Sequence, residues 1–256
     1  MMKQLKIKLN NFDISNNKPF VLIAGPCVIK DFDETFEIAQ YLKKISQKHN
    51  IPLIFKASYD KANRSSVTSY RGPGIEKGLK ILVDIKNKLN IPITTDIHTP
   101  IEAAQAAEIV DIIQIPAFLS RQTDLIVKAA DTGRIVNVKK GQFLAPDDMR
   151  HIVEKVKSRE NNNILLTERG TFFGYHNLVV DMRSMEKMKE YGFPVIFDAT
   201  HSVQLPGGLA KKSGGEREYI LPLAKAAIAV GIAGIFMEVH PDPKKSLSDS
   251  ASILNM

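Results

Sequence analysis

The chain has 256 residues, of which 44% are apolar and 25% charged, with one cysteine and no tryptophan. This composition excludes a disordered tail and a collagen-like polymer, and a single cysteine cannot form an internal disulfide. The 35 basic and 28 acidic residues give a net charge of +7. Because the basic residues are scattered along the chain, they favour a solvated lysine-rich surface or a site for a small anion over a nucleic-acid-binding tract.

The N-terminal segment carries no targeting signal that we can identify. Residues 1–10 alternate charged and apolar side chains, whereas a signal peptide requires a continuous apolar segment. No stretch elsewhere approaches the 18 uncharged apolar residues typical of a membrane span. We therefore expect a cytoplasmic protein with no membrane partner.

The predicted elements begin with a hairpin and continue as alternating strands and helices. Residues 4–9 and 12–14 flank Asn10-Asn11, a favourable turn. Eight runs typical of strands follow, at 19–25, 51–58, 91–97, 112–117, 135–140, 164–170, 194–200 and 234–240. Seven segments with helical periodicity lie between them, at 33–49, 74–89, 101–108, 121–131, 146–157, 182–191 and 217–230.

This alternation predicts a parallel sheet, and eight units in about 250 residues match a (β/α)₈ TIM barrel. We expect residues 1–256 to form a single barrel domain, with the hairpin in residues 1–18 capping its bottom. A doubly wound open sheet is the alternative. It is disfavoured because Gly25-Pro26-Cys27 stands where a dinucleotide-binding fold has Gly-x-Gly-x-x-Gly.

The segment after the eighth strand is too short and too polar for the expected last helix. Only residues 241–256 remain, and residues 246–252 are rich in serine. The eighth helix is therefore expected to be absent after residue 249. Because a covering helix of this size would stabilise a barrel substantially, we expect the native gene product to continue beyond Met256 with an amphipathic helix.

Polar side chains end most of the predicted strands, where barrel enzymes carry their active sites. Lys56, Lys139 and Arg169 end strands two, five and six. Three cations at one mouth repel each other unless an anion neutralises them, so the sequence predicts an anionic substrate. The other polar residues on or just after the strands are Cys27, Asp96, His98, Gln114, Asn137, Glu168, Asp198, His201, Glu238 and His240.

A metal site is a second possibility at this mouth. Closure of the barrel makes strands seven, eight and one neighbours, which brings His201, Glu238 and Cys27 together, and Asp249 follows strand eight. Such a mixed donor set suits zinc, iron(II) or manganese(II). No ligand-spacing motif joins these residues, however, and Cys27 could equally be a small buried hydrophobic residue.

Several longer motifs give the chain a specific resemblance. They are FKASYDKANRSS (55–66), SYRGPG (69–74), TDIH (95–98), QIPAF (114–118), RQTD (121–124), NVKKGQF (137–143), DATHSVQ (198–204), EVHPDP (238–243) and LSD (247–249). In these motifs, in this order, the chain closely resembles the 3-deoxy-D-manno-octulosonate 8-phosphate synthases. The resemblance spans roughly residues 19–249.

The resemblance implies condensation of phosphoenolpyruvate with D-arabinose 5-phosphate, which gives 3-deoxy-D-manno-octulosonate 8-phosphate and phosphate for lipopolysaccharide synthesis. Metal-dependent members of the family carry a cysteine after Gly-Pro, as Cys27 does here. The resemblance therefore implies one divalent metal ion per subunit, held by Cys27, His201, Glu238 and Asp249. Asp96 and His201 are candidates for proton transfer, although a metal-bound His201 cannot be a free base.

The resemblance also assigns the substrate-binding residues. Those expected around phosphoenolpyruvate are Lys56, Lys61, Gln114, Lys139 and Arg169. Those expected around the sugar phosphate are Asn63, Arg64 and Ser65, and Phe118 is expected in the same binding site. The family is tetrameric, and Arg121 is expected to reach the sugar phosphate of a neighbouring subunit.

Three other functions are considered. A 3-deoxy-D-arabino-heptulosonate 7-phosphate (DAHP) synthase would use erythrose 4-phosphate, but that family usually has a Lys-Pro-Arg-Thr-Ser-like loop where Lys61-Ala62-Asn63-Arg64-Ser65-Ser66 stands here. The Asn63 amide suits an extra sugar hydroxyl and favours the five-carbon substrate. From a different class, a nucleic-acid-binding protein could use the positive charge. A pseudoenzyme scaffold is disfavoured by the intact set of polar strand ends.

Overall fold

The computed structural model describes residues 3–209 and 212–256. Its central sheet is a closed ring in which every strand pairs in parallel with its two neighbours, the last with the first. The barrel strands are β1 (Val21–Gly25), β2 (Leu53–Lys56), β3 (Ile93–Asp96), β4 (Ile112–Ile115), β5 (Ile135–Lys139), β6 (Ile164–Glu168), β7 (Val195–Asp198) and β8 (Gly234–His240). This confirms the predicted (β/α)₈ barrel.

Seven α-helices connect these strands, each within a few residues of its predicted bounds. They are α1 (Phe32–His49), α2 (Ile75–Leu89), α3 (Pro100–Ala107), α4 (Thr123–Asp131), α5 (Met149–Lys157), α6 (Arg183–Lys189) and α7 (Ile220–Val230). In α1 the Asp31 side chain accepts the Glu34 N–H at the start, and Asn50 in the left-handed region ends the helix. None of the helices in the described ranges is long and apolar enough to cross a membrane.

The N-terminal hairpin closes the bottom of the barrel, as predicted. Its strands, Ile7–Leu9 and Phe12–Ile14, pair antiparallel around a turn in which Asn10 has a φ of 51°. Ile7, Leu9 and Ile14 are buried in one apolar layer with residues from the lower part of the barrel. That layer is completed by Val21, Ile23, Ile54, Ile112, Ile135, Leu165, Ile196, Ala233 and Phe236.

Two short antiparallel pairs lie in the loops at the opposite, C-terminal face. Thr171–Phe172 pairs with Leu178–Val179 after β6, and Gln204–Leu209 pairs with Lys212–Gly215 after β7. The sequence did not predict either of them, because two-residue strands leave no periodicity and Pro206-Gly207-Gly208 is typical of a loop. These loops shape the rim above the strand ends.

The segment after β8 is held along that strand. It forms a 3₁₀ turn at Pro243–Lys245 and then a two-residue strand, Leu254–Asn255, which runs parallel to the end of β8. Ile253, just before this strand, is fully buried. Asp249 lies between the two elements with a φ of 47°. The continuation of the native chain past Met256 stays a prediction.

Candidate active site

The C-terminal ends of the barrel strands surround a cavity of about 610 Å³. Twelve residues that the sequence assigned to the site line it: Lys56, Lys61, Asn63, Arg64, Ser65, Asp96, Gln114, Phe118, Lys139, Arg169, His201 and Asp249. The barrel thus brings together residues that are up to 193 positions apart, from Lys56 to Asp249. It does so at the face where this fold is expected to carry an active site.

The cationic residues of the cavity are buried and paired with carboxylates. Lys139 Nζ donates to Asp198 Oδ2 and lies 3.6 Å from the centroid of the Phe236 ring. Lys56 Nζ lies 3.5 Å from both Asp96 Oδ1 and Glu238 Oε1. Burial lowers the pKa of Lys139, although the Asp198 carboxylate opposes this shift. Each ammonium group therefore has a carboxylate close to it in the cavity wall.

Several buried polar atoms of the cavity lack a hydrogen-bond partner within the described part of the chain. Arg169 Nη2 donates to Gln204 Oε1 at 2.7 Å, but its Nη1 is unpartnered. The same holds for the side-chain oxygens of Gln114 and Gln142. Because buried polar atoms are nearly always paired in folded proteins, these atoms mark positions where a polar ligand would bind.

Cys27, Glu238 and Asp249 form a cluster whose ligand atoms all lie within 4.8 Å of one another. The barrel positions them. Glu238 on β8 pairs with Gly25 on β1, and Gly25 lies two residues before Cys27. A Cβ on residue 25 would lie only 1.9 Å from Lys56 O, so only glycine lets β1 approach β2 here. Cys27 Sγ donates to Asp249 Oδ2 at 3.1 Å.

His201, the fourth predicted ligand, lies beside this cluster rather than within it. Its Nε2 is 3.6 Å from Glu238 Oε1, and its Nδ1 is 2.8 Å from Asp198 Oδ2. A carboxylate on the far ring nitrogen is the usual support for a metal-binding histidine. Glu238 Oε1 is buried and has no hydrogen-bond partner among the described residues. This donor set, with a carboxylate oxygen that accepts no hydrogen bond in the described structure, fits a divalent metal ion.

The electrostatics of the cluster agree with a cation site. Burial and the nearby Glu238 raise the pKa of the Cys27 thiol well above its usual value. Burial also acts to raise the pKa of Asp249, but Lys61 and His201 outweigh it and hold the pKa well below its usual range. A divalent cation would favour the thiolate, which is the form that binds metals.

The loop after β2 carries the predicted sugar-phosphate residues, and Arg64 ties it to the loop after β8. The Arg64 guanidinium donates to Ser248 Oγ at 2.7 Å and to Leu247 O at 2.6 Å. It also makes two hydrogen bonds of 2.9 Å to Tyr70 O. Asn63 and Ser65 line the cavity on either side. Arg64 therefore joins the predicted sugar loop to the segment that carries Asp249.

Some polar residues at the strand ends do not face the cavity. Glu168 accepts the N–H groups of Arg169 and Gly170 and the Ser184 hydroxyl, so it anchors the loop after β6. The His240 ring lies 3.6 Å from Glu34 and is absent from the cavity wall. Arg121 does not line the cavity of its own chain either. Its predicted role in a neighbouring subunit stays a prediction.

Three polar residues in or next to the cavity wall were not assigned a role from the sequence. Ser58 bridges Lys56 and Asp96, and Gln204 joins Arg169 to Asp249 through two hydrogen bonds of 2.7 and 2.8 Å. Gln142 lines the wall with its amide oxygen unpartnered in the described structure. All three lie within the motifs quoted above, but only their three-dimensional contacts distinguish them from neighbouring residues.

Comparison with known proteins agrees with this geometry. The profile of the DAHP synthetase I family matches residues 4–256. The 2-dehydro-3-deoxyphosphooctonate aldolase of Geotalea daltonii is 55% identical over 251 residues, which make up 98% of this chain and 92% of that protein. The proteins of the same name from Trichlorobacter lovleyi and Fusobacterium nucleatum are 56% and 53% identical over 249 residues, 97% of this chain and 91% and 90% of theirs. The chain therefore belongs to the DAHP synthetase I family and, within it, to the 2-dehydro-3-deoxyphosphooctonate aldolases.

Proposed function

We propose that the protein condenses phosphoenolpyruvate with D-arabinose 5-phosphate and water, giving 3-deoxy-D-manno-octulosonate 8-phosphate and phosphate. The observation that carries this proposal is the near-full-length identity of 53–56% to aldolases of that product. 2-Dehydro-3-deoxyphosphooctonate aldolase is another name for the 3-deoxy-D-manno-octulosonate 8-phosphate synthase that the sequence motifs resemble. The protein is thus a transferase, and the arabinose 5-phosphate substrate is favoured over the erythrose 4-phosphate of a DAHP synthase.

The charges of the cavity suit these substrates. Phosphoenolpyruvate brings a carboxylate and a phosphate, and the sugar brings a second phosphate. Lys56, Lys139 and Arg169 are buried in the cavity and supply fixed positive charge for the carboxylate and phosphate of phosphoenolpyruvate. The unpartnered Nη1 of Arg169 and Oε1 of Gln114 offer a donor and an acceptor there. The loop with Asn63, Arg64 and Ser65 would hold the sugar phosphate.

In the reaction, C3 of phosphoenolpyruvate attacks the sugar aldehyde and the aldehyde oxygen takes up a proton. Water adds at C2, and the bond from C2 to the phosphate oxygen breaks to release phosphate. Asp96, on the cavity wall, is the group placed to move these protons, because His201, held by Asp198, cannot act as a free base while it binds a metal ion. A divalent ion held by Cys27, Glu238, Asp249 and His201 would polarise the aldehyde or lower the pKa of water.

The test of function is phosphate release from phosphoenolpyruvate with each candidate sugar phosphate. We expect turnover with arabinose 5-phosphate and much less with erythrose 4-phosphate. Turnover with neither sugar would contradict the proposal. A filter-binding measurement with duplex DNA at physiological salt serves as the control for the nucleic-acid alternative, since phosphate-driven binding would fall steeply as salt rises.

We further propose that activity needs one divalent metal ion per subunit. The support is the convergence of Cys27, Glu238 and Asp249. In addition, Glu238 Oε1 is buried and accepts no hydrogen bond in the described structure. Excess EDTA should abolish phosphate release, and zinc, iron(II) or manganese(II) should restore it. Elemental analysis should find about one ion per chain, whereas full turnover with no bound metal would refute this part of the proposal.

The proposed assembly is a homotetramer in the cytoplasm. Arg121 does not line the cavity of its own chain, and Phe118, near it in sequence, lines the cavity yet is 49% exposed. Both observations support a neighbouring subunit that covers this rim and brings its Arg121 to the sugar phosphate. Sedimentation analysis tests the assembly, and a monomeric active enzyme would refute it.

A further inference from the structure

His98 lies in the cavity wall, between two carboxylates. It follows β3 and is largely buried, with its Nε2 3.2 Å from Asp96 Oδ2 and its Nδ1 3.4 Å from Glu102 Oε2. Asp96 belongs to the cavity, whereas Glu102 lies in the first turn of α3, outside the ring of strands. The imidazole therefore connects a proposed catalytic carboxylate to a carboxylate of the outer layer.

Glu102 is held in its ionised form by the groups around it. Its carboxylate accepts hydrogen bonds from the backbone N–H of His98 and from the Thr99 hydroxyl, both at 2.9 Å. It also accepts one from the Tyr59 hydroxyl. Burial acts to raise the pKa of Glu102, but the donors from His98, Tyr59 and Thr99 outweigh it and lower the pKa to about 2. Glu102 thus presents a permanent negative charge to the ring.

The position of the ring between two carboxylates requires a particular protonation state. A neutral imidazole has one bare nitrogen, which would face a carboxylate oxygen without a proton between them. Nδ1 makes no hydrogen bond among the described residues, but it lies at ion-pair distance from Glu102 Oε2, so a doubly protonated ring is attracted to both carboxylates. We propose that Glu102 is a positioning residue that keeps His98 an imidazolium and, through it, fixes the Asp96 carboxylate in the cavity wall.

The charges facing His98 are few and agree with this proposal. They are Asp96 from β3, Glu102 from α3 and the Tyr59 phenol, whose ring meets the imidazole edge-on at 6.0 Å between centroids. Lys56 lies beyond Asp96, 3.5 Å from its Oδ1. Burial acts to lower the pKa of His98, but Asp96 and Glu102 outweigh it and raise the pKa to about 9.

The imidazolium has a direct consequence for an anionic substrate. Asp96 Oδ1 accepts the Ser58 hydroxyl near Lys56, and Oδ2 faces His98, so both oxygens are fixed by positive or donating groups. With a neutral His98, the Asp96 charge would be less compensated and would repel the phosphates of both substrates. The effect on the substrate phosphates rests on the proposed function, whereas the charge of His98 does not.

Glu102 also matches a simpler role as a helix cap. Thr99 precedes α3 and Glu102 is the third residue of that helix, so the bond from the Thr99 hydroxyl to Glu102 Oε1 joins the two ends of the first turn. That role accounts for Oε1. Oε2 also accepts the backbone N–H of His98 at this helix start, but that role does not account for its contacts with the buried Tyr59 hydroxyl and the His98 ring.

The test compares Glu102→Gln with Thr99→Val. The glutamine keeps the size of the side chain but removes the charge, so the pKa of His98 should fall by about 1–3 units. We expect the alkaline limb of kcat/KM, near pH 9 in the unaltered protein, to move down by that amount, with activity regained at about pH 6.5. Thr99→Val removes one hydroxyl donor to Glu102 but keeps the Glu102 charge, so it should move the limb far less than Glu102→Gln does. An unmoved limb in a folded Glu102→Gln protein would overturn the proposal.

A second measurement needs neither a variant nor activity. Nitrogen-15 NMR of the imidazoles should show His98 still doubly protonated at pH 8, where an unperturbed imidazole is neutral. A neutral His98 at pH 8 would overturn the proposal even if the enzyme is active. A charged His98 in a protein that does not turn over arabinose 5-phosphate would leave the positioning of Asp96 intact and refute only the proposed substrate.

Discussion

Asp198→Asn tests most directly how the cavity keeps its charges. Asp198 is completely buried at the end of β7 and accepts hydrogen bonds from Lys139 Nζ and from the backbone N–H of His201 at 2.9 Å. It also faces His201 Nδ1 at 2.8 Å. Asparagine has the same shape and one remaining acceptor, so the substitution removes the charge with little change in packing.

The expected cost follows from the burial of the pair. Both Lys139 and Asp198 are nearly or fully inaccessible to water, so neither charge would be solvated once its partner is neutral. Breaking such a pair by removing one partner costs about 3–5 kcal/mol. That is a large part of the roughly 5–15 kcal/mol by which a typical domain is stable. The variant should therefore fold only marginally, and its Lys139 should lose charge more readily.

Urea denaturation measures this effect. We expect a lower midpoint at an unchanged slope, with a loss of about 3–5 kcal/mol in the free energy of unfolding. Asp181→Asn is the matched control, because its pair with Arg183 is exposed and should leave the midpoint essentially unchanged. A loss below about 1 kcal/mol for Asp198→Asn would refute the view that the buried pair stabilises the barrel.

The same variant should change how stability depends on pH. Burial acts to raise the pKa of Asp198, but His201 and Lys139 outweigh it and hold the pKa far below its usual value. The stabilisation from this carboxylate is therefore present at neutral pH and is lost as the pH falls below about 4 toward the folded-state pKa. The asparagine variant lacks this contribution, so its unfolding free energy should fall less steeply below pH 4.

Other residues give separate predictions. Arg64→Ala should raise the KM for arabinose 5-phosphate about 10- to 150-fold and that for phosphoenolpyruvate far less, since one charge-assisted contact is worth roughly 1.5–3 kcal/mol; equal effects in steady-state kinetics would show that the loop is misassigned. Lys139→Ala should do the opposite. Gln142→Ala should weaken substrate binding in calorimetry without lowering Tm, and an unchanged Kd for both substrates would remove Gln142 from the site. Arg121→Ala should raise the KM for the sugar phosphate only in the assembled protein, as mixed assemblies with unaltered subunits would reveal.

Hydrophobic periodicity predicted the barrel because each element has a distinct local signal. The eight strands are short β-branched runs, and helices such as α1 begin and end at residues with clear capping preferences. The hairpin was also predictable, because Asn10-Asn11 lies between two alternating segments. By contrast, the paired segments in the loops after β6 and β7 depend on contacts between residues whose own sequence is typical of loops.

The direction of a side chain at a strand end is harder to predict than its position. Glu168 and Arg169 are adjacent in sequence, yet Arg169 enters the cavity while Glu168 turns to the backbone and to Ser184 on α6. The partners of Asp198 and Glu102 come from distant parts of the chain and have no local pattern. The sequence could therefore identify which strand ends carry polar groups, but not which group each one pairs with.

The hairpin beneath the barrel has a consequence for the order of folding. Its side chains, Ile7, Leu9 and Ile14, pack on a layer assembled from seven of the eight barrel strands. That surface does not exist until the ring has closed, so the hairpin gains its burial energy only after the most distant contacts in the chain have formed. The hairpin precedes the whole barrel in the chain but can dock only after the barrel has closed, and until then the open end of the barrel is exposed to other chains.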